Sequence, residues 1–273
     1  MSAVRQRFSD LHAPGVDCFV LPNPWDVGSA RLLQHLGFHA LATTSAGFAA
    51  SIGRLDMSVT LDELAAHVEV LAHAVDVPLN VDAERLFGET PDQVSEAVDR
   101  LAEAGASGIS IEDWDPATNA IDPIAVATDR VRAAAEACER HGIVLTGRAE
   151  NLLHGINDLD GTIERLRSYR DAGARCVYAP GLVKPDHITR VVEALGATPV
   201  NVLVFPGGPT VPELGALGVR RVSTGAALAW AAYGALVDAA TELQGAGTDS
   251  FRARSLTAAA RSAAFNPTRP ANC

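Results

Sequence analysis

Eight short runs of apolar and β-branched residues recur along this chain, each followed by a stretch of helical periodicity, and this alternation restricts the fold more than any single motif does. The runs cover residues 18–21, 40–43, 79–82, 108–111, 144–148, 176–179, 200–205 and 219–224. Strands that pair in parallel need long crossovers, usually helices, so an alternating pattern of this kind builds a parallel sheet. Eight such units on 273 residues agree with an architecture that takes roughly 250 residues. The predicted fold class is α/β, a (β/α)8 TIM barrel over 1–273 as one domain, with a C-terminal helical extension over about 226–265.

Composition and local signals agree. Hydrophobic residues make up 48% of the chain but aromatics only 5%, so Ala, Val, Leu and Ile must fill the core, as in strands covered on both faces. Thr60 with Glu63 has capping-box spacing and opens a helix over 60–74, and Pro91 stands at the expected first position of a helix over 90–104. Segments ending at Gly37, Gly105 and Gly173 read as helix C-caps feeding the next strand. After the eighth run, helices are predicted over 226–243 and 250–264, and then a polar tail, 266–273, expected to be loose.

The formal net charge of -11 without any Lys/Arg-rich run excludes nucleic acid as a partner, since phosphate binding needs a basic surface. The same charge repels small anions, so a carboxylate ligand would need a local cation, either a metal or an Arg. Cys18, Cys138, Cys176 and Cys273 show no CxxC or CxxH spacing and read as reduced thiols of a cytoplasmic protein. The first 15 residues lack the apolar core of a signal peptide, and no apolar run approaches the roughly 20 residues that span a bilayer. A soluble protein with no membrane partner is expected.

In such barrels the catalytic groups sit at the C-terminal ends of the strands. Acidic residues gather there. PLNVD ends in Asp82 and is followed by Glu84, and GISIED ends in Glu112 and Asp113. Carboxylates crowded at one mouth repel one another unless a cation intervenes, and a hard divalent ion suits oxygen ligands. Each acid alone reads as a solvated loop residue or a partner of Arg85 or Arg148. Together with Arg148 and Glu150 from TGRAEN and Asn201 from the seventh run, they read as one site.

The pieces NPWDVGSARLLQHLGFHALATTSAG, GRLD, VDAERLFG, GISIEDWD, GRAEN, VYAPGL, PGGPTVPELGALGVRRVSTG and ALAWAAYGAL, in this order and spacing, resemble the phosphoenolpyruvate mutase and isocitrate lyase superfamily from near residue 20 to about residue 243. The resemblance implies Mg²⁺, with Mn²⁺ as a substitute, held near Asp82, Glu84 and Glu112, often through water. It implies substrate contacts at Arg148 and at the backbone around Ser45, Ala46 and Gly47, with Asp82 and Asn201 completing the set. Asp56, in GRLD, matches the family's acidic residue beside the metal.

Three departures matter. Where many relatives have DxDxGYG, this chain has Asp82-Ala83-Glu84-Arg85-Leu86-Phe87-Gly88, with a longer acid and an Arg in the turn. The loop after Glu112 lacks the KxCGH motif of the family's lyases, which disfavours isocitrate and methylisocitrate cleavage by the usual route. It is closer to the PKTNSL-like loop of the mutases and phosphonopyruvate hydrolases. Thr118 and Asn119 match that loop, but Ala117 replaces its Lys and Ala120 its Ser, removing the cation that a migrating phosphoryl group needs.

The functional expectation is a Mg²⁺-dependent lyase or hydrolase that cleaves a carbon–carbon bond of a small 2-oxo or 2-hydroxy carboxylate through an enolate-like intermediate. Arg148 and the metal hold the acid; Asp56, Glu150 or a metal-bound water handles the proton; Asn119 helps to close the site. The alternatives are phosphoenolpyruvate or phosphonopyruvate chemistry at a carbon–phosphorus bond, and a catalytically silent barrel that binds metal and carboxylate. The eight histidines form no HxH or HExxH. Pro206-Gly207-Gly208-Pro209 reads as a tight turn and Trp230 with Tyr233 as packing or interface anchors. By the resemblance the chain forms a homo-oligomer, a dimer of dimers exchanging a C-terminal helix; the alternative is that both terminal helices cap their own barrel.

Overall fold

All eight apolar runs form strands, and every pairing between them is parallel. The barrel strands are β1 (Phe19–Leu21), β2 (Leu41–Ala42), β3 (Leu79–Asp82), β4 (Gly108–Glu112), β7 (Val144–Arg148), β8 (Cys176–Tyr178), β9 (Val200–Leu203) and β10 (Arg221–Ser223), while β5 (Trp114–Asp115) and β6 (Ala120–Ile121) form a separate antiparallel hairpin. The neighbour order is β1-β10-β9-β8-β7-β4-β3-β2. Between β2 and the chain leaving β1, the Ala42 amide donates to the Pro22 carbonyl (3.0 Å) and the Asn23 side-chain amide to the Thr43 carbonyl (2.7 Å), which draws the two ends of the sheet together. This computed structural model describes residues 2–266, so Cys273 and all but the first residue of the tail expected to be loose lie outside the described residues.

Five of the eight strands are shorter than their apolar runs, and at the mouth the physical reason is visible. Beyond β2 and β10 the backbone gives up the ladder for side-chain partners. The Asp82 amide donates to the Thr43 hydroxyl (2.9 Å), and the Thr224 and Gly225 amides donate to Asn23 Oδ1 (3.0 and 2.9 Å). Both predicted capping signals operate. Thr60 and Glu63 close a reciprocal box on α4 (Leu61–Ala74), and Thr90 and Gln93 do so on α5 (Pro91–Glu103), with Pro91 at its start.

Three elements were not anticipated from the sequence. A polar helix, α1 (Ala3–Leu11), buries Phe8 in a cluster with Leu21, Ala40, Ala42 and Val144. That contact is why β4 begins with glycine, since a Cβ on Gly108 would stand 2.3 Å from the Phe8 ring. The second element is α3 (Ser45–Ser51), directly after β2, and the third is the β5–β6 hairpin.

The C-terminal reading needs one correction. Residues 250–264 are not one helix: a 3-10 turn, Ser250–Arg254, precedes α11 (Ala258–Phe265). Ser255 is extended, and the Thr257 hydroxyl caps the Ala260 amide (3.1 Å), so the second helix starts afresh. α11 packs on α2 (Val27–His35) of the same chain. By contrast α10 (Ala227–Gly245) buries only Ala229 and leaves Trp230, Leu236, Val237 and Leu243 exposed. No helix among the described residues is long and apolar enough to cross a membrane.

Candidate active site

Parallel pairing aligns Glu112 of β4 with Arg148 of β7 and Arg148 with Tyr178 of β8, so one guanidinium stands between acidic and aromatic neighbours at the strand ends. Arg148 pairs with Asp82 through Nη1, with Glu112 through Nη2 (3.1 Å) and with Glu150 through Nε (2.9 Å), and its cation lies 5.3 Å from the centre of the Tyr178 ring. A cavity of about 160 Å³ opens above it, lined among others by Ser45, Ala46, Asp56, Asp82, Arg148 and Asn201. A cavity of roughly 150 Å³ holds a molecule the size of benzene, which sets the scale at a small organic acid.

Each acid is held differently. Asp82 accepts from the Ser45 amide (3.1 Å), which joins α3 to β3, while Glu150, almost wholly buried, supports Arg148 from behind. Glu84 takes a left-handed backbone conformation (φ 49°), and its carbonyl accepts from the Glu112 amide (3.0 Å). Burial, with Asp82 and Asp56 adding to it, pushes the Glu84 carboxyl up to about 8. Burial likewise raises Glu112 well above the usual carboxylate range, with Arg148 opposing and Glu150, Asp82 and Glu84 reinforcing. Asp56 is raised by desolvation and by Asp82, against a hydrogen bond from Ser45. Burial opposes the charge on Arg148, but Glu150, Glu112 and Asp82 lift its pKa well above the ordinary value.

Five carboxyl groups, those of Asp56, Asp82, Glu84, Glu112 and Glu150, therefore gather around one guanidinium. The donors are all hard oxygens, and a dication would relieve the repulsion that adds to burial in raising Asp56, Glu84 and Glu112, so the set fits a divalent ion such as Mg²⁺ in charge and chemistry. Among the described residues no group of three or more His, Cys, Asp or Glu side chains stands at ligating spacing as it is, because Arg148 occupies the space between Asp82 and Glu112. Mg²⁺ commonly takes only one or two carboxylates and keeps its waters.

Other predicted residues fall elsewhere. Gly47 packs beneath Trp25, where an added Cβ would come within 3.1 Å of the Trp25 Cβ, and it does not line the cavity. Asn119 sits at the exposed tip of the β5–β6 hairpin (φ 53°), also outside the lining. Asp113 points away from the mouth. It accepts from the Glu150 amide (2.8 Å), the Tyr169 hydroxyl and Arg165 (3.1 Å), so its partners are neither Arg85 nor Arg148. This tie depends on Gly147, whose missing side chain lets Tyr169 of α7 (Leu159–Asp171) approach β7. Cys18 is half-buried, and Cys138 and Cys176 are buried free thiols.

Among the lining residues that escaped the sequence reading are Tyr178 and Arg221. Arg221 is 2% exposed in the interior of the barrel. A charged residue inside the apolar run 219–224 was the available signal.

The phosphoenolpyruvate phosphomutase family model matches residues 8–244. An uncharacterised protein of Mycobacterium tuberculosis is 37% identical over 220 residues, covering 80% of this chain and 81% of its own. An oxaloacetate decarboxylase of Paraburkholderia xenovorans is 30% identical over 226 residues, covering 79% and 72%. Among solved structures, a Burkholderia cenocepacia protein provisionally described as a lyase/mutase superposes with a TM-score of 0.89 at 45% identity, covering 94% of this chain and 93% of its own. With the fold, the acidic mouth and these likenesses in agreement, the chain belongs to the phosphoenolpyruvate mutase and isocitrate lyase superfamily of lyases and mutases.

Proposed function

We propose that this chain cleaves a carbon–carbon bond of a small 2-oxo or 2-hydroxy carboxylate, with oxaloacetate the first acid to try. The observation that carries the reading is Arg148: a largely buried, charged guanidinium in the lining of a cavity of about 160 Å³, with carboxylates on three sides. Its planar fork suits a carboxylate together with the neighbouring oxygen. When the adjacent carbon–carbon bond breaks, its electron pair moves toward the carbonyl, and the charge developing on that oxygen is stabilised by a cation already in place. Glu150 and Glu112 keep Arg148 oriented. Asp56, on the cavity wall with its pKa raised, is placed to hold or deliver the proton that the product carbon needs. The hairpin carrying Asn119 closes over the bound acid, excluding water.

Mg²⁺ or Mn²⁺ would be held near Asp82, Glu84 and Glu112, where it supplies Lewis-acid stabilisation of the substrate oxygens. Carbon–phosphorus chemistry is the weaker reading because Ala117 stands where that loop carries a Lys. Release of pyruvate or glyoxylate from a panel of 2-oxo and 2-hydroxy acids, run beside phosphonopyruvate, tests the assignment. Turnover of an acid in the panel is expected; turnover of phosphonopyruvate alone, or of nothing, would overturn it.

The exposed apolar side chains of α10 support a homo-oligomer, a dimer of dimers with α10 seated on a second copy, while α11 packed on α2 of its own chain speaks against its exchange. Light scattering at several concentrations should give a tetramer, and a stable monomer would refute it.

A further inference from the structure

Deepening the reading of the same site as a carboxylate pocket, we infer that Arg221 is a positioning residue that fixes the Asn201 amide, so that the cavity floor meets an anion with donors. The guanidinium lies across the barrel interior. Nε donates to Asn201 Oδ1 (2.9 Å), Nη2 to the Thr146 hydroxyl (3.0 Å), and Nη1 contacts His12 Nε2 (3.1 Å).

The direction of every bond in this chain follows from chemistry. His12 Nδ1 faces the Phe8 carbonyl at 2.8 Å; a carbonyl only accepts, so Nδ1 carries the proton. An arginine N–H only donates, so His12 Nε2 must be the unprotonated acceptor and the ring is neutral. By the same logic the Asn201 oxygen must face Arg221. That turns its NH₂ toward the Ser223 hydroxyl, 2.9 Å away. Ser223 in turn stands beside Tyr178, whose ring lies against Arg148. A polarised chain thus runs from α1 at the base of the barrel, through Arg221, Asn201 and Ser223, to the residue beneath the acid-binding cation.

The charge is also uncompensated. Among the described residues no carboxylate pairs with Arg221; its partners are an imidazole, an amide and a hydroxyl. Burying a cation among neutral groups costs stability unless something repays it. Arg221, Asn201, Ser223 and Tyr178 all line the cavity, so an anion bound there meets the positive end of the chain. Asn201 with its oxygen inward would repel a carboxylate; Arg221 forbids that rotamer.

The test is a double-mutant cycle read with oxalate as probe, with calorimetry on the full chain. Arg221→Gln and Asn201→Ala should each weaken oxalate binding about tenfold or more, and the double variant should be no weaker than the worse single, because both act through one amide. Losses that multiply in the double variant would overturn the assignment, as would Arg221→Gln binding like the wild type. A crystal structure of Arg221→Gln supplies an arm that needs no ligand: Asn201 released from Ser223 supports the inference, and an unmoved Asn201 overturns it. If the acid panel yields no turnover the lyase reading fails, while this arm still decides the role of Arg221. Arg221→Lys, which keeps the charge but not the fork, should not restore oxalate affinity.

Discussion

Two arginines approach the same cavity from opposite electrostatic surroundings. Arg148 stands among carboxylates that outnumber it, and Arg221 among neutral acceptors that leave its charge unmatched. Arg148 is held by attraction, and the crowded carboxyls beside it, their charged forms disfavoured, are what a divalent ion would relieve. Arg221 is held by geometry, with its charge left for whatever enters from above. The mouth is thus built to gather a cation and the floor to tolerate an anion, the polarity that a metal-assisted carboxylate reaction needs.

The comparison breaks most visibly if the surplus acids have no cation to serve. Excess chelator, and separately Glu112→Ala, should abolish turnover while the melting curve stays cooperative, because Glu112 is at the barrel mouth and not in the packed shell between strands and helices. Full turnover in chelator would remove the metal from the account. Arg148→Ala should next lower kcat/KM by roughly 10²–10³, the range found when a preorganised charge-stabilising donor is lost. Arg148→Lys should recover only part, since a point charge does not reproduce a bidentate fork. Equal kinetics in all three proteins would take Arg148 out of the site.

A smaller effect sharpens the other half of the comparison. Folded His12 has its pKa pushed down to about 3, first by burial and then by Arg221, against an ordinary value of 6.5. Below pH 6.5 the unfolded chain gains a proton that the folded chain refuses, so stability present above 6.5 is lost as pH falls toward 3. The loss at pH 5 is ~2 kcal/mol for this group. Urea unfolding at pH 7 and pH 5 should register it, and His12→Gln should remove that share. An identical pH slope in the variant would mean that His12 is not held neutral.

How much of this was legible in the sequence depended on where chemistry and pattern coincide. Arg148 could be read because TGRAEN ends an apolar run and the barrel places strand ends at the mouth. Arg221 was hidden inside the run 219–224, where periodicity identifies a strand but not which of its residues face inward. Strand alternation also separates Glu112, which turns to Arg148, from Asp113, which turns outward to Tyr169 and Arg165. The β5–β6 hairpin has two-residue strands, too short to leave a period. α1 has little apolar signal because it contributes chiefly Phe8 to the core, and only the closed barrel reveals the space that Phe8 fills.

The central claim is that the mouth stabilises enolate-like charge, and binding of oxalate, a planar dianion that mimics such an enolate, tests it most directly. Calorimetry with Mg²⁺ present should give an oxalate Kd roughly a hundredfold or more below the KM of the acid that is turned over, as for a transition-state analogue, and Arg148→Ala should erase that advantage. Oxalate binding no tighter than acetate, or equally tight in Arg148→Ala, would contradict the account.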